Sequence, residues 1–393
     1  MENFQFSVGT NILFGKGQLE QLPSIIGQFG KKVLLTYGSG SIKKMGLYDQ
    51  VIALLDDFEL FELSGIDPNP RVESVEAGAK ICRENQVDVI LAVGGGSTID
   101  CSKGIAAAAY YDGSAWEMIM KTSIPSKGHK VITKALPLVT VLTLAATGSE
   151  MNSGAVVSNM QTKEKVGFFS PLMLPKCSIL DPENTYSVPP NQTAAGSADI
   201  MSHVLELYFN TSRAFIADRF VESLLKAVIK YAPIAMKEPQ NYEARANLMW
   251  ASTLALNGIC AAGRKPQAWT AHPIEHELSA YYDITHGVGL AILTPRWMRY
   301  VLSDSTVSLF AEYGVNVWDI DASLDKFEIA NKSIDATEEF LADLDIPMTL
   351  SEIGIGEEYF EAMAAHAVKL GGLEHAYVPL NQQDVVAILK MCL

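Results

Sequence analysis

Short apolar runs alternate with longer amphipathic segments through the first half of the chain. Buried strands are predicted at residues 32–36, 59–63, 87–93, 135–144 and 176–180. Between them, apolar residues recur every three or four positions, and this period predicts helices near residues 17–29, 47–57 and 72–85. Strands that alternate with helices of this length are typical of right-handed βαβ units. The pattern therefore predicts a mostly parallel, Rossmann-like sheet.

The first residues follow a different period. Phe4, Phe6 and Val8 alternate with polar residues, as do Ile12 and Phe14 beyond the Gly-Thr-Asn turn. A period of two predicts strands, so a short antiparallel pair is expected over residues 3–14. An exposed strand edge can extend a sheet across two copies of a chain, and a homodimer is therefore expected.

The pattern changes near Ser187-Val-Pro-Pro190. From Asn191 onward helical segments dominate, separated by proline and glycine, and no strand is predicted. A chain of 393 residues is also too long for one core. We therefore predict an α/β dinucleotide-binding domain over residues 1–185 and an all-α, metal-binding domain over residues 186–393.

Composition narrows the classes of function. The chain is 48% hydrophobic and 19% charged, as ordinary globular proteins are. Its net charge of −15 argues against binding to nucleic acid or an anionic membrane surface. No apolar run is long enough to span a membrane, and no signal peptide or CxxC motif is recognisable. A cytoplasmic protein without a disulfide framework is expected.

Four of the seven histidines fall in one span together with an aspartate. Asp199 and His203 are four residues apart on a predicted helix, so their side chains share one face, and His272 and His276 repeat this spacing. His286 follows ten residues later. One carboxylate with several imidazoles is a typical ligand set for Zn²⁺ or Fe²⁺. The alternative is a set of hydrogen-bonded core histidines. His129, His366 and His375 lie outside the pattern.

Two loops follow buried strands and carry small residues. Gly94, Gly95, Gly96 and Ser97 connect the strand at 87–93 to a helix with Asp100, where free N–H groups can bind a pyrophosphate. The alternative is a tight turn without a ligand. The segment from Thr143 to Glu150 contains Thr147, whose hydroxyl either contacts a nucleotide or caps the following helix.

A third loop contains Gly38, Ser39, Gly40 and Ser41 and is followed by two lysines. In nucleotide folds an acidic residue at this point binds the ribose 2′-hydroxyl. Small polar or basic residues leave room for a 2′-phosphate instead, so the loop favours NADP(H) over NAD. A flexible exposed loop with two solvated lysines is the alternative.

In this order, the GGGSxxD, TGSE, DPNP and D-x3-H…H-x3-H-x9-H motifs resemble the iron-containing (group III) alcohol dehydrogenases. The resemblance extends over almost the whole chain, and the sequences around Tyr37 and Ala146 are similar to the NADPH-dependent butanol dehydrogenase and aldehyde reductase branch. It implies a dehydroquinate synthase-like fold, with cofactor and metal facing each other across an interdomain cleft. Ala145-Ala146 departs from the Ala-Gly of many members and leaves the backbone path there open.

The resemblance also implies roles for single residues. The metal ligands would be Asp199, His203, His272 and His286. His276 would be an additional active-site histidine, either a proton relay or a hydrogen-bond partner. Pyrophosphate would be bound by Gly95, Gly96 and Ser97, and the cofactor would also contact Asn69, Thr143, Thr147 and Lys165.

The implied reaction is reversible hydride transfer between NADPH and a small aldehyde, with Fe²⁺ or Zn²⁺ as the metal. Three alternatives remain open. The first is an NAD-linked polyol dehydrogenase of the glycerol type, and the second is a lyase related to dehydroquinate synthase. The third is a non-catalytic protein that senses nucleotide or metal.

Overall fold

The five predicted buried strands and one further strand form a single parallel sheet in the computed structural model, which describes residues 1–123 and 131–393. The strand order is β1-β8-β5-β4-β2-β3. The sheet strands are β1 (Asn11–Phe14), β2 (Lys32–Thr36), β3 (Glu59–Leu63), β4 (Val89–Gly94), β5 (Leu138–Leu142) and β8 (Cys177–Leu180). Both faces of the sheet are covered: Leu34 packs in one apolar cluster, while Val33 and Leu35 pack in another. Burial on two faces explains why the inner strands β2, β4, β5 and β8 are mostly apolar, whereas the edge strands β1 and β3 are partly exposed.

The described residues form two compact units. The sheet unit comprises Ser7–Val188 and Pro239–Thr253, and the helical unit comprises Met1–Phe6, Pro189–Glu238 and Leu254–Leu393. Neither unit is one continuous segment, which differs from a division of the chain at residue 185.

In the sequence, the following helices of the sheet unit lie between its strands. They are α1 (Leu22–Ile26), α2 (Ser41–Lys44), α3 (Leu47–Leu54), α4 (Val72–Asn85), α5 (Gly96–Ala108) and α6 (Ala115–Thr122). The predicted helix at 17–29 is in fact a 3-10 turn at Gln18–Gln21 followed by the single turn of α1. Pro23 at the start of α1 lacks the N–H that would continue a helix through this segment.

The predicted antiparallel pair over residues 3–14 is wrong. In the structure β1 alone is a strand, and it pairs in parallel with β8, with Asn11 opposite Cys177. The residues before it contain no strand, and Glu2 donates its backbone N–H to the carbonyl of Gly263. The alternation of Phe4 and Phe6 therefore does not reflect a sheet, and both residues are exposed.

Sequence reasoning missed an antiparallel hairpin. It consists of β6 (Gly154–Asn159) and β7 (Glu164–Phe169), which form a separate two-stranded sheet. Val157, Val166 and Phe168 bury their side chains in the same apolar cluster as α5. The hairpin therefore covers one side of α5.

The helical unit contains no strand among its described residues. Its helices are α7 (Pro190–Tyr208), α8 (Phe215–Lys237), α10 (Ala271–Tyr282), α11 (His286–Val301), α12 (Val307–Trp318), α13 (Lys326–Asp343), α14 (Phe360–Gly371) and α15 (Gln382–Met391). Helix α7 packs against α8 and α11, and α10 packs against α11 and α14. Within the described ranges, none of the helices has the length and apolar character needed to cross a membrane.

One further helix, α9 (Tyr242–Ala255), belongs almost entirely to the sheet unit. Met249 is fully buried in the apolar cluster that contains α5. Trp250 contacts Phe14 edge to face, and the Thr253 hydroxyl donates a 2.6 Å hydrogen bond to Glu150. The sheet unit is thus completed by a segment that follows α8 in the sequence.

Candidate metal centre and cofactor site

Three histidine side chains meet at the Asp199 carboxylate in the helical unit. The Nε2 atoms of His203, His272 and His286 lie 3.5, 3.7 and 3.8 Å from Oδ1 of Asp199. Asp199 and His203 come from α7, His272 comes from α10, and His286 is the first residue of α11. The four predicted ligands are therefore brought together by three helices.

These four side chains fit a divalent metal ion. Oδ1 of Asp199 and Nε2 of His272 are buried without a hydrogen-bond partner in the described structure. A tetrahedral ion with bonds near 2.1 Å separates its ligand atoms by about 3.4 Å, close to the three distances seen here. Unpaired buried polar atoms are costly, and a shared cation would satisfy both.

Two buried carboxylates fix the orientation of the imidazoles. Nδ1 of His272 lies 2.8 Å from Oε1 of Glu206, and Nδ1 of His286 is hydrogen-bonded to Glu275. Each Nδ1 therefore donates a proton to a glutamate, and each Nε2 faces Asp199, where it could bind a metal ion. Sequence reasoning missed both glutamates. The available signal was their position three residues after a predicted ligand, Glu206 after His203 and Glu275 after His272.

The electrostatics of the site favour a cation. Burial alone would raise the pKa of the Asp199 carboxyl, but the surrounding imidazoles lower it below its usual range. Burial lowers the pKa of His203 to about 4, so this side chain is a neutral donor at physiological pH. Burial would likewise lower the pKa of His272, yet Asp199 and Glu206 raise it to about 9. The pocket thus stabilises positive charge beside the two acids.

His276 lies next to this cluster. Its ring centroid is 5.6 Å from that of His286 and 6.4 Å from that of His272. His276 is half-buried, and it can also be grouped with Glu275 and His286 by distance. Of the three histidines outside the pattern, His366 is hydrogen-bonded to Glu277, His375 is exposed, and His129 lies outside the described residues.

The predicted pyrophosphate loop is the beginning of α5. Gly95 is the N-cap residue, and no side chain caps the helix. A Cβ atom at Gly96 would lie 2.3 Å from Oγ1 of Thr147, so only glycine fits there. The close approach places Thr147 beside the first turn of α5, where Ser97 also lies. Backbone N–H groups at a helix N-terminus of this kind can bind a phosphate, as the sequence predicts for this end of α5.

The remaining cofactor candidates lie at several points of the sheet unit. Thr143 follows β5 and donates its N–H to Gly94 O, and Asn69 has a left-handed backbone with φ of 54°. Lys165 is buried on β7. Asp100 has both oxygens engaged, one by the Ser149 hydroxyl and one by the Val156 N–H. Its observed contacts are thus within the protein.

The loop after β2 contains no carboxylate. Gly38 and Ser39 lead into Gly40, which has a φ of 110°, and Ser41 begins α2. Lys43 on α2 lies over the rings of Tyr37 and Tyr48, at 5.1 and 4.4 Å. The loop therefore presents small polar groups and lysines at the carboxyl end of β2.

Comparison with known proteins identifies the family. Residues 9–182 match the model "Iron-containing alcohol dehydrogenase", and residues 193–393 match the C-terminal model of the Fe-containing alcohol dehydrogenase family. The chain belongs to the iron-containing alcohol dehydrogenase family. It is 52% identical to NADH-dependent butanol dehydrogenase A of Clostridium acetobutylicum over 99% of both chains. It is also 42% identical to the NADPH-dependent aldehyde reductase YqhD of Escherichia coli over 90% of each.

Solved structures in this family have the same fold. A crystal structure of NADH-dependent butanol dehydrogenase A from Thermotoga maritima is 38% identical and superimposes with a TM-score of 0.93, covering 100% of this chain and 99% of the other. The expected fold, a parallel sheet domain followed by a helical region, is therefore confirmed. As a family member, the chain is an alcohol or aldehyde oxidoreductase, and the family uses NAD(P)H with iron or another divalent metal.

Proposed function

We propose that this protein is a metal-dependent, NADPH-linked oxidoreductase that interconverts small primary alcohols and aldehydes of about the size of butanol and butyraldehyde. The observation that carries the proposal is the convergence of three imidazole Nε2 atoms on the unpaired Oδ1 of Asp199. The butanol dehydrogenase and aldehyde reductase relatives support this substrate class.

Asp199, His203, His272 and His286 would hold one divalent ion. Their mixed oxygen and nitrogen donors suit both Fe²⁺ and Zn²⁺. When bound, the ion supplies a Lewis acid for the substrate oxygen, and the nicotinamide supplies or accepts the hydride.

The protein's own side chains orient the metal ligands and protonate the substrate oxygen. Glu206 and Glu275 accept hydrogen bonds from Nδ1 of two imidazoles and so orient each Nε2 toward the place of the metal. The half-buried ring of His276 lies one helical turn after His272 and beside His286, where it can deliver a proton to the aldehyde oxygen as the aldehyde is reduced. The alternative role for His276 is a hydrogen-bond partner that orients its neighbours.

The cofactor would lie on the sheet unit. The uncapped N-terminus of α5, with Gly95, Gly96 and Ser97, would bind the pyrophosphate, and Thr147 would contact it from the side. The loop from Gly38 to Ser41 lacks an acid and is followed by two lysines, which favours the 2′-phosphate of NADPH. The named relatives include NADH- and NADPH-dependent enzymes, so NADH is the second candidate.

A single variant tests the metal site. His272→Ala should remove bound metal, measured by elemental analysis, and abolish NADPH oxidation with butyraldehyde. The control is His375→Ala, whose side chain is 79% exposed. Full metal content and wild-type turnover in His272→Ala would overturn the assignment.

Steady-state kinetics tests the cofactor and the reaction. A higher kcat/KM with NADPH than with NADH is expected, and a clear preference for NADH would refute the interpretation of the 38–44 loop. Turnover of glycerol rather than butanol would indicate a polyol dehydrogenase, and binding of NADPH without turnover would indicate a sensor. The expected homodimer stays a prediction that light scattering can test.

A further inference from the structure

Lys103 on α5 is a buried cation that the proposed reaction does not use. Its side chain is fully buried. The Nζ atom donates hydrogen bonds to Ser149 Oγ at 2.8 Å, Asn152 Oδ1 at 2.9 Å and Gly154 O at 2.7 Å. An ammonium group has three N–H donors, and here all three are used within the protein. None is left for a phosphate, although Lys103 follows the glycine-rich loop by only a few residues.

All three acceptors belong to one segment, residues 147–154, which comprises the later part of the β5–β6 connection and the first residue of β6. Asn152 also stabilises the segment internally, because its amide donates to Gly148 O and its Oδ1 accepts from the Gly154 N–H. Thr147, at its beginning, packs against Gly96 at the start of α5. Lys103 thus fastens to α5 the segment whose first residue touches the anion-binding end of the same helix.

Two neighbouring carboxylates stabilise the buried positive charge of Lys103. Asp100 is one turn earlier on α5 and accepts the Ser149 hydroxyl, so the two side chains bind the segment from one face of the helix. Burial lowers the pKa of Lys103 to about 8, and the nearby carboxylates of Asp100 and Glu150 oppose this effect. A buried cation persists only where such partners compensate the loss of water.

We propose that Lys103 is a positioning residue for the dinucleotide, because it sets the place of Thr147 relative to the N–H groups at the start of α5. The inference rests on the proposed function, in which this end of α5 binds the pyrophosphate. If the 147–154 segment were released, the N-terminus of α5 would stay intact, but Thr147 would no longer be held beside it.

The experiment compares Lys103→Met with Lys80→Met, which changes an exposed lysine on α4. Dissociation constants for NADPH are measured by fluorescence titration without aldehyde, well below the unfolding midpoint of each protein. Lys103→Met should raise the Kd and the KM for NADPH at least tenfold, while the KM for butyraldehyde and the metal content stay unchanged. Lys80→Met should equal the wild type in all four values.

Asn152→Ala serves as a second variant, since removing the charge of Lys103 leaves two acids uncompensated and can prevent folding. It removes one acceptor of Lys103 and should raise the Kd for NADPH at least threefold. An unchanged Kd in the folded Lys103→Met protein, or in Asn152→Ala where Lys103→Met does not fold, would overturn the inference. Failure of the wild type to bind NADPH would instead refute the proposed function.

Discussion

A Cβ atom added to Gly287 would lie 1.9 Å from the carbonyl oxygen of Ala195. The two residues mark the point where α11 and α7 meet. Ala195 is one turn before Asp199, and Gly287 directly follows His286, so this contact controls the 3.8 Å distance between Nε2 of His286 and Oδ1 of Asp199. The lack of a side chain at Gly287 therefore allows the candidate metal ligands on α7 and α11 to meet.

Gly287→Ala should separate α11 from α7, because the clash is with backbone that cannot move aside. We expect metal affinity to fall at least tenfold and stability to drop by about 1–3 kcal/mol, as in other overpacked sites. Metal titration and thermal unfolding measure the two effects. Gly356→Ala is the matched control, since nothing lies within 4 Å of its added Cβ and its φ is −112°. Equal metal affinity in both variants would contradict the argument.

Glu206→Gln should weaken metal binding by about 10–100-fold, the usual effect of losing the partner of a ligating histidine. Glu206 accepts from Nδ1 and the backbone N–H of His272, and an amide can no longer hold the ring in one tautomer with the same strength. Competition with a chelator measures the affinity. The exposed Glu339→Gln on α13 is the control, and identical chelator curves would remove Glu206 from the site.

Ser39→Asp should shift the cofactor preference toward NADH. An acid after β2 repels a 2′-phosphate, so the ratio of kcat/KM for NADPH to that for NADH should fall at least about tenfold. Ser24→Asp adds the same charge at an exposed position on α1 and should leave the ratio unchanged. The 38–44 loop has no part in recognition if both variants keep the wild-type ratio.

Met249→Ala should reduce the free energy of unfolding by about 2–5 kcal/mol, because it opens a cavity in a fully buried cluster. Denaturant titration of the purified protein measures the change. Met391 is 43% exposed, and Met391→Ala should change stability by less than about 0.5 kcal/mol. A loss below that limit for Met249→Ala would mean that α9 contributes little to the sheet unit.

The sequence predicted those elements whose signals are local. The bounds of β2, β3 and α4 agree with the predicted 32–36, 59–63 and 72–85, because apolar runs there end at polar or glycine residues. Hairpin β6–β7 was missed because its turn contains no Asn-Gly or Asp-Gly pair, and Lys163 adopts the left-handed backbone conformation instead, with φ of 53°.

Helical spacing predicted each pair of candidate ligands within its own helix, but not the meeting of separate helices. That Asp199, His272 and His286 share one centre depends on the packing of α7, α10 and α11, which no single period encodes. The family resemblance supplied this grouping. Glu206 and Glu275 stayed hidden because glutamate is common on helices, and only their burial distinguishes them from solvated acids.

The placement of α9 has a consequence for synthesis of the chain. All strands of the sheet unit have been translated once Leu180 is reached, yet Met249 and Thr253 arrive only after α7 and α8. During that interval the apolar cluster of the nascent sheet unit lacks the Met249 side chain, and Glu150 lacks the Thr253 hydroxyl that donates to it. We expect a fragment ending at Val188 to be sensitive to protease and one ending at Asn257 to gain resistance in that part. Completion of the sheet unit would then be a late, rather than an N-terminal, event in folding.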